Sequence, residues 1–335
     1  MTRFSTPPDL RAAIASLLDE RSRRELAARV ARISALFRER RRTSEAIADE
    51  DDALAYALFR LPATYAATAS VLAGLSERSP AFRPRRLLDL GAGLGVASWA
   101  ALQLWPDIET IVMLDRSADF LSLARRLAAS GGPALARAQV VSGDMGDPPD
   151  FGEPFDLIVS SYAVTEIPDA RLAEVLDAAW RNCRGALAIV EPGTPRDYAR
   201  LMRARTLLVD AGAHLSAPCP HSAPCPLVAP DWCHFAVRLA RSRDHKLVKG
   251  AAAPFEDEKF AYLAAARREA SLAPAATRVL MRPEALKYAV RLRLCTRRGI
   301  EETAILKRDR HRFDSIKKTA WGDDVDALEE MAAGE

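Results

Sequence analysis

Apolar residues recur at three- and four-residue spacing from Asp9 to Leu18, Arg23 to Arg41 and Leu61 to Leu75, which predicts an all-helical stretch over residues 1–80. A β/α alternation follows. Short apolar runs at Arg86–Leu90, Thr110–Leu114, Val140–Val141, Phe155–Ser160 and Ala186–Val190 read as strands. Between them, Val96–Leu104 reads as a helix stopped by Pro106, and Ala118–Ala129 as one stopped by Gly131-Gly132-Pro133. Pro168 opens a helix running to about Asn182, and Thr194-Pro195 caps another that reaches Asp210 before Gly212. This alternation predicts an α/β fold, a parallel sheet covered by helices on both faces.

Past Gly212 the periodicity breaks into a proline-rich loop. Trp232 to Val248 is expected to be a helix, and Glu258–Ala266 a strand that closes the sheet. Tyr288–Thr296 and Glu302–Leu306 alternate apolar with basic residues around Arg298-Gly299, the pattern of a hairpin with one wet, cationic face. The plan is a helical N-terminal region (1–80), an α/β domain (81–270) with a cysteine-rich insertion (214–250), a basic β-rich C-terminal subdomain (271–323) and a frayed acidic tail (324–335). There is no internal repeat.

Composition adds size, location and charge. At 335 residues, 49% of them hydrophobic and 28% charged, the chain exceeds one typical domain and has ample material for a core. No apolar run approaches the ~18–20 residues of a membrane helix. The first twenty residues carry Asp9, Asp19 and Glu20 and no apolar h-region, so neither a secretory nor an organellar leader is expected. A cytoplasmic monomer is the expectation. The net charge of +3 is unevenly spread: nine Arg face Glu25 and Glu39 between Arg21 and Arg42, and fifteen Lys plus Arg face six acids between Arg267 and Lys318. One such run is an ordinary solvated face; two in one chain point towards a polyanion such as nucleic acid.

The first candidate site is Asp89-Leu90-Gly91-Ala92-Gly93-Leu94-Gly95, between a strand and a helix. Glycines there allow a tight turn and close approach of backbone to ligand, and the helix start offers free N–H groups. Asp115, ending the next strand, is placed to accept both ribose hydroxyls of a nucleoside. Asp144, after the third strand, could read an adenine amino group. G-x-G-x-G, not G-x-G-x-x-G, favours S-adenosylmethionine over NAD. The competing reading is a tight βα turn with no cofactor. After the fourth strand stands Ser160-Ser161-Tyr162-Ala163-Val164-Thr165-Glu166, with no Asn-Pro-Pro-Tyr element for an exocyclic amine and no Pro-Cys or Thr-Cys pair for attack on a pyrimidine. No catalytic residue is assigned.

The second candidate site uses four of the five cysteines: Cys219, Cys225 and Cys233 in the loop and Cys295 in a later strand. Thiolates are soft ligands, and irregular spacing suits a [4Fe–4S] cluster, which takes ligands from anywhere in a fold. Paired knuckles typical of zinc are missing, but His221 and His234 keep a Cys3His zinc site open. Merely buried thiols are the remaining reading. Cys183 reads as a small buried hydrophobe late in a helix. No C-x3-C-x2-C motif for radical chemistry is present.

Together these stretches resemble the methyltransferase-like family of small-subunit ribosome assembly factors found in bacteria and mitochondria. The resemblance rests on Arg60-Leu-Pro-Ala-Thr-Tyr65-Ala, the glycine loop, Val190-Glu-Pro-Gly193-Thr, Cys219-Pro-His221, Cys225-Pro-Leu, Asp231-Trp-Cys233-His-Phe235, Lys249-Gly250, Phe255-Glu-Asp-Glu-Lys-Phe260-Ala-Tyr262, Leu294-Cys295-Thr296 and Ala320-Trp321-Gly322-Asp323. It implies a class I, Rossmann-like methyltransferase domain that binds S-adenosylmethionine through Asp89, Gly91, Gly93, Gly95, Asp115 and Asp144. It also implies a [4Fe–4S] cluster on Cys219, Cys225, Cys233 and Cys295, and contact with small-subunit (16S-type) ribosomal RNA. An active RNA methyltransferase on the same fold is the alternative; a zinc-binding relative with a non-RNA substrate is another.

Overall fold

The computed structural model describes residues 3–19, 21–39, 41–250, 252–275 and 277–325. Its N-terminal region is helical: α1 (Pro8–Leu18), α2 (Arg23–Arg38), α3 (Thr43–Ala46), α4 (Glu50–Phe59) and α5 (Leu61–Arg78). Ser22 caps α2 by accepting the Glu25 amide, and Asp49 caps α4 by accepting the Asp52 amide. The α2 helix ends at Arg38 and not at Arg41. Helix α4 was not expected: nearly all of Asp52–Phe59 is buried, so it shows no one-sided apolar stripe.

The α/β layer follows as β1 (Arg86–Leu90), α6 (Val96–Leu104), β2 (Thr110–Asp115), α7 (Ala118–Ala128), α8 (Pro133–Ala136), β3 (Gln139–Ser142), β4 (Phe155–Ser161), α9 (Leu172–Arg181), β5 (Cys183–Pro192) and α10 (Pro195–Asp210). It continues with β6 (His214–Ala217), β7 (Phe235–Ala240), α11 (Arg243–Lys249) and β8 (Phe255–Ala266). The sheet order is β3-β2-β1-β4-β5-β8-β6. The first five strands are parallel, while β8 runs antiparallel to both β5 and β6. That order, with a reversed strand inserted beside β5, is the class I methyltransferase arrangement of the Rossmann-like fold. The order reverses between β1 and β4, and ligands of open α/β sheets bind outside the strand ends at such a switch point.

Four local expectations are corrected. Trp232–Val248 is a strand and a short helix, β7 and α11, because alternate residues Phe235, Val237 and Leu239 are buried at a period of two. Pro168 leads into a 3-10 turn, Asp169–Arg171, before α9. Cys183 begins β5 and does not end a helix, though it is buried as expected. Strand β8 does not close the sheet: its second half lies between β5 and β6, and its first half pairs with β7.

A second sheet contains β9 (Thr277–Val279), β10 (Glu284–Ala285), β11 (Ala289–Thr296), β12 (Gly299–Leu306) and β13 (Asp324–Val325), with α12 (Arg310–Ile316) packed on β12. The hairpin β11–β12 is present, but its wet face is not cationic. Arg291 pairs with Glu284, Arg293 with Asp231 and Glu302, and Arg298 with Glu301. Residues 326–335 of the acidic tail, like Arg40 of the N-terminal basic run, lie outside the described residues. Among the described residues no helix is long and apolar enough to cross a membrane.

Candidate functional site

Where β1, β2 and β4 end, a cavity of about 400 Å³ opens between the glycine loop and the N-terminal helices. Gly91, Gly93 and Gly95 all have positive φ, at 71°, 52° and 75°. Gly91 and Gly93 line the cavity; Gly95 instead caps α6 behind the loop. Asp115 lines the cavity, and its two oxygens accept the amides of Gly93 and Ser117, each at 2.8 Å. Asp144 lines it too, with its carboxylate gripped by Arg171 at 2.8 and 2.9 Å and by the Gly146 amide at 2.8 Å. Arg171 holds that carboxyl below its usual range.

Asp89 does not line the cavity. It is 1% exposed and accepts both the amide and the hydroxyl of Ser98 at 2.9 Å, tying β1 to α6. Burial pushes its carboxyl up to about 7 against those hydrogen bonds. Sequence reasoning placed it with the ligand; the structure places it beneath the loop.

The strand-four segment meets the cavity through Ser161, Tyr162 and Glu166. Each is bonded to something else. The Ser161 and Thr68 hydroxyls lie 2.7 Å apart, and Glu166 accepts the Thr43 amide at 3.0 Å and the Thr43 hydroxyl. The Tyr162 hydroxyl donates to Glu258 at 2.8 Å, and Glu258 takes a bidentate pair from Arg60 at 2.8 and 3.0 Å. Arg60 lies 5.0 Å from the centre of the Tyr162 ring. Tyr162 has φ 57°, the one described non-glycine residue in the left-handed region, a strained position for an aromatic side chain. Burial, then the Glu258 charge, pushes its phenol well above the usual range. Nearby, Glu191 is 1% exposed and accepts the Val164 amide at 2.9 Å, and its other oxygen has no partner. Burial and the Asp197 charge push its carboxyl well above the usual range.

All four predicted cysteines line a second, smaller cavity of about 20 Å³. Cys219, Cys225 and Cys233 come from the loop between β6 and β7, and Cys295 from β11, opposite Arg278 of β9. None is in a disulfide. Burial pushes the Cys219 thiol up and Arg205 draws it back; burial and the neighbouring sulfurs push Cys233 well up and Cys295 up to about 12. His221 and His234 do not line this cavity. His234 stacks on Trp232 with ring centres 4.7 Å apart and meets the Trp321 edge at 4.9 Å.

Among the described residues no group of three or more His, Cys, Asp or Glu is arranged to hold a metal ion. Neither His221 nor His234 joins the four sulfurs at the cavity, so no histidine stands beside them for a Cys3His zinc site. The donor set itself, four thiols with no carboxylate in a largely apolar surround, has the composition that iron–sulfur ligation requires.

The fold and these two sites define a methyltransferase-like protein with a separate sulfur-lined cavity. Residues 50–326 match the family model described as mitochondrial small ribosomal subunit Rsm22, and the chain belongs to that family. It is 30% identical over 295 residues to the human ribosome assembly protein METTL17, mitochondrial, covering 81% of this chain and 61% of that protein. An Rsm22-cox11 tandem protein of Schizosaccharomyces pombe is 24% identical over 184 residues, 50% of this chain and 24% of that one. The chain thus spans less than two thirds of these relatives. Among solved structures, precorrin-6y C5,15-methyltransferase from Geobacter metallireducens has 18% identity and a TM-score of 0.40, covering 60% of this chain and 88% of that one. Magnesium protoporphyrin IX methyltransferase from Synechocystis, solved with bound SAM, has 13% identity and a TM-score of 0.40, covering 66% and 85%.

Proposed function

We propose that this protein is an assembly factor for the small ribosomal subunit that contacts its RNA, binds S-adenosylmethionine over the glycine loop and holds a [4Fe–4S] cluster. The observation that carries the reading is the meeting of three loop cysteines and a strand cysteine at one cavity, in a fold with an open glycine-loop pocket. Membership of a small-ribosomal-subunit family supports the partner, and the name of the human relative supports the assembly role. The cytoplasmic, monomeric state expected from sequence belongs to the same proposal.

The pocket residues fit a nucleoside. A Cβ built on Gly93 meets only Phe120, at 3.8 Å, so the loop leaves space over its backbone. Asp115 keeps further acceptor lone pairs for hydroxyl donors, and Phe120 and Ile47 line the cavity as apolar surface. The bound sulfonium would supply an electrophilic methyl group. In the second cavity Cys219, Cys225, Cys233 and Cys295 would supply the thiolates, with Pro218 and Leu227 limiting water.

Assembly is favoured over methyl transfer by the strand-four segment. Ser161, Tyr162 and Glu166 are each engaged with Thr68, Glu258 or Thr43 and so are not poised to accept a proton from a substrate. The test begins with anaerobic purification: the protein should be brown, absorb near ~400 nm and contain iron and sulfide. Serine at each of the four cysteines should bleach it, while Cys183→Ser should not. Stoichiometric zinc without iron overturns the cluster. For the role, deletion should slow small-subunit maturation, and an Asp115→Ala copy should restore it. If rescue needs Asp115 and one ribosomal RNA methyl mark vanishes with it, the protein is a methyltransferase.

A further inference from the structure

Strand β10 turns into β11 through Lys287 and Tyr288. Ala285 pairs with Val290, and the Leu286 amide donates to the Ala289 carbonyl at 2.8 Å, which leaves those two residues as the tip of a tight hairpin. The tip is also tied to the end of β12: the Lys307 amide donates to the Tyr288 carbonyl at 2.8 Å, and the Lys307 Nζ to the Lys287 carbonyl at 2.9 Å. Two-residue turns are ordinarily built from glycine, asparagine or aspartate. Tyr288 is none of these, and its side chain buries little. It is 67% exposed, the most exposed aromatic residue among those described. Neither turn chemistry nor core packing accounts for a ring at this position.

The charge around the tip is one-sided. Lys287, Lys307, Arg308 and Arg310 are all exposed, and none is in an ion pair among the described residues. The acids that flank them in sequence are taken by other cations: Glu284 by Arg291 at 2.8 Å, Asp309 by Arg312 at 3.8 Å and Asp314 by Lys317 at 2.9 Å. Elsewhere on the same sheet Arg293 meets Asp231 and Arg298 meets Glu301. Unpaired cations thus collect at one end of β11 and β12, where the exposed ring stands.

We propose that Tyr288 is a stacking platform for an unpaired base of single-stranded RNA, with Lys287, Lys307, Arg308 and Arg310 on the phosphates to either side. The inference rests on the RNA contact in the function proposed above, and adds the form of the RNA and the place where it binds. A strand with unstacked bases presents planar rings alternating with anionic phosphates, the complement of a ring set among free cations. A duplex keeps its base faces stacked inside and offers the ring nothing to lie on. Carboxylates alone would meet the cations and leave the ring unused.

The experiment is fluorescence anisotropy of the full chain with a labelled single-stranded RNA of about ten nucleotides, and with the duplex it forms with its complement. Tyr288→Ala should weaken single-strand binding about tenfold, the loss of one stacked base, and leave the duplex unchanged. The salt dependence should not move, because no phosphate contact is lost. Tyr288→Trp should bind like wild type, since stacking needs a ring and not a hydroxyl. Arg308→Ser should instead weaken both RNAs and flatten the salt dependence. Circular dichroism checks that each variant is folded. Equal binding by wild type and Tyr288→Ala overturns the proposal. An equal loss on single strand and duplex overturns it too, since the tip would then touch phosphates alone. If Tyr288→Ala spares RNA and lowers binding to vesicles of anionic phospholipid, the surface is a membrane contact and the proposal is wrong. Wild-type protein that binds neither RNA overturns the RNA reading of the function, and this inference falls with it.

Discussion

The carboxylate of Asp115, at the end of β2, accepts the amide of Gly93 at 2.8 Å and so ties the glycine loop to the neighbouring strand. Its second oxygen accepts Ser117 at the start of α7. One side chain thus shapes the loop and borders the space above it. Asp115→Ala is expected to weaken S-adenosylmethionine binding by about 1.5–3 kcal/mol, the range for hydrogen bonds to a charged group, or roughly ten- to a hundredfold. Titration calorimetry showing wild-type affinity would remove Asp115 from the site.

Gly91 and Gly93 predict opposite failures. A Cβ on Gly91 would sit 2.4 Å from the Ala163 Cβ, at φ 71°, so Gly91→Ala forces loop and strand-four segment apart. A Cβ on Gly93 finds no neighbour closer than 3.8 Å and points into open space. The left-handed conformation alone costs roughly 1–2 kcal/mol for an L-residue. Gly93→Val should therefore remain folded and lose the ligand, while Gly91→Ala should lose more than about 2 kcal/mol of stability. Urea unfolding beside calorimetry checks both. Equal stability loss in the two variants would contradict the packing.

Asp89 gives the fold a pH dependence. Burial raises its folded carboxyl to about 7 from an ordinary value of 3.8. Between those values the folded state binds a proton that the unfolded state releases, so stability falls as pH rises through the window and levels off above about 7. The full penalty is on the order of 4 kcal/mol, at 1.36 kcal/mol per unit. Comparing wild type with Asp89→Asn at pH 4 and pH 8 isolates it, because the contribution of Glu191 is common to both. Wild type should lose stability relative to the variant on going to pH 8. A difference that does not change with pH would show that Asp89 stays ionised in the fold.

How much of this was legible in the sequence depends on the range of the interactions. The glycine loop, the Thr194 cap on α10 and the cysteine window are local patterns, and each was placed correctly along the chain. That Cys295 would join the loop cysteines is what the family resemblance implied, and the cavity brings the four together. What stayed hidden is set by partners far away in the chain. Arg60 and Glu258 are 198 positions apart, and nothing in either stretch of sequence pairs them. Asp144 reads as an open acceptor until Arg171 closes on it. The strain at Tyr162 has no signature in its neighbours. Arg205 looks like one more arginine on a basic helix, and only its burial separates it from Arg203, which pairs at the surface with Asp169.

The last prediction concerns RNA. On β11, Arg291 lies 2.8 Å from Glu284 and Arg293 lies 2.5 Å from Asp231, so a phosphate would have to displace a carboxylate at each. Arg308 and Arg310, at the turn into α12, have no ion pair among the described residues. Each free cation that neutralises a phosphate releases counterions and adds about 0.7–0.9 to the slope of log affinity against log salt. Arg308→Ser and Arg310→Ser should each lower that slope by about this amount, and Arg291→Ser and Arg293→Ser by distinctly less. Filter binding of small-subunit RNA between about 50 and 200 mM salt measures the difference. A full step at Arg291 and Arg293 would mean that RNA lies on the strand face and breaks its ion pairs. No step at any of the four would move the RNA surface away from the second sheet. In that case Arg293→Ser should still disturb the cysteine loop through Asp231, two residues from Cys233, and the metal content would show it.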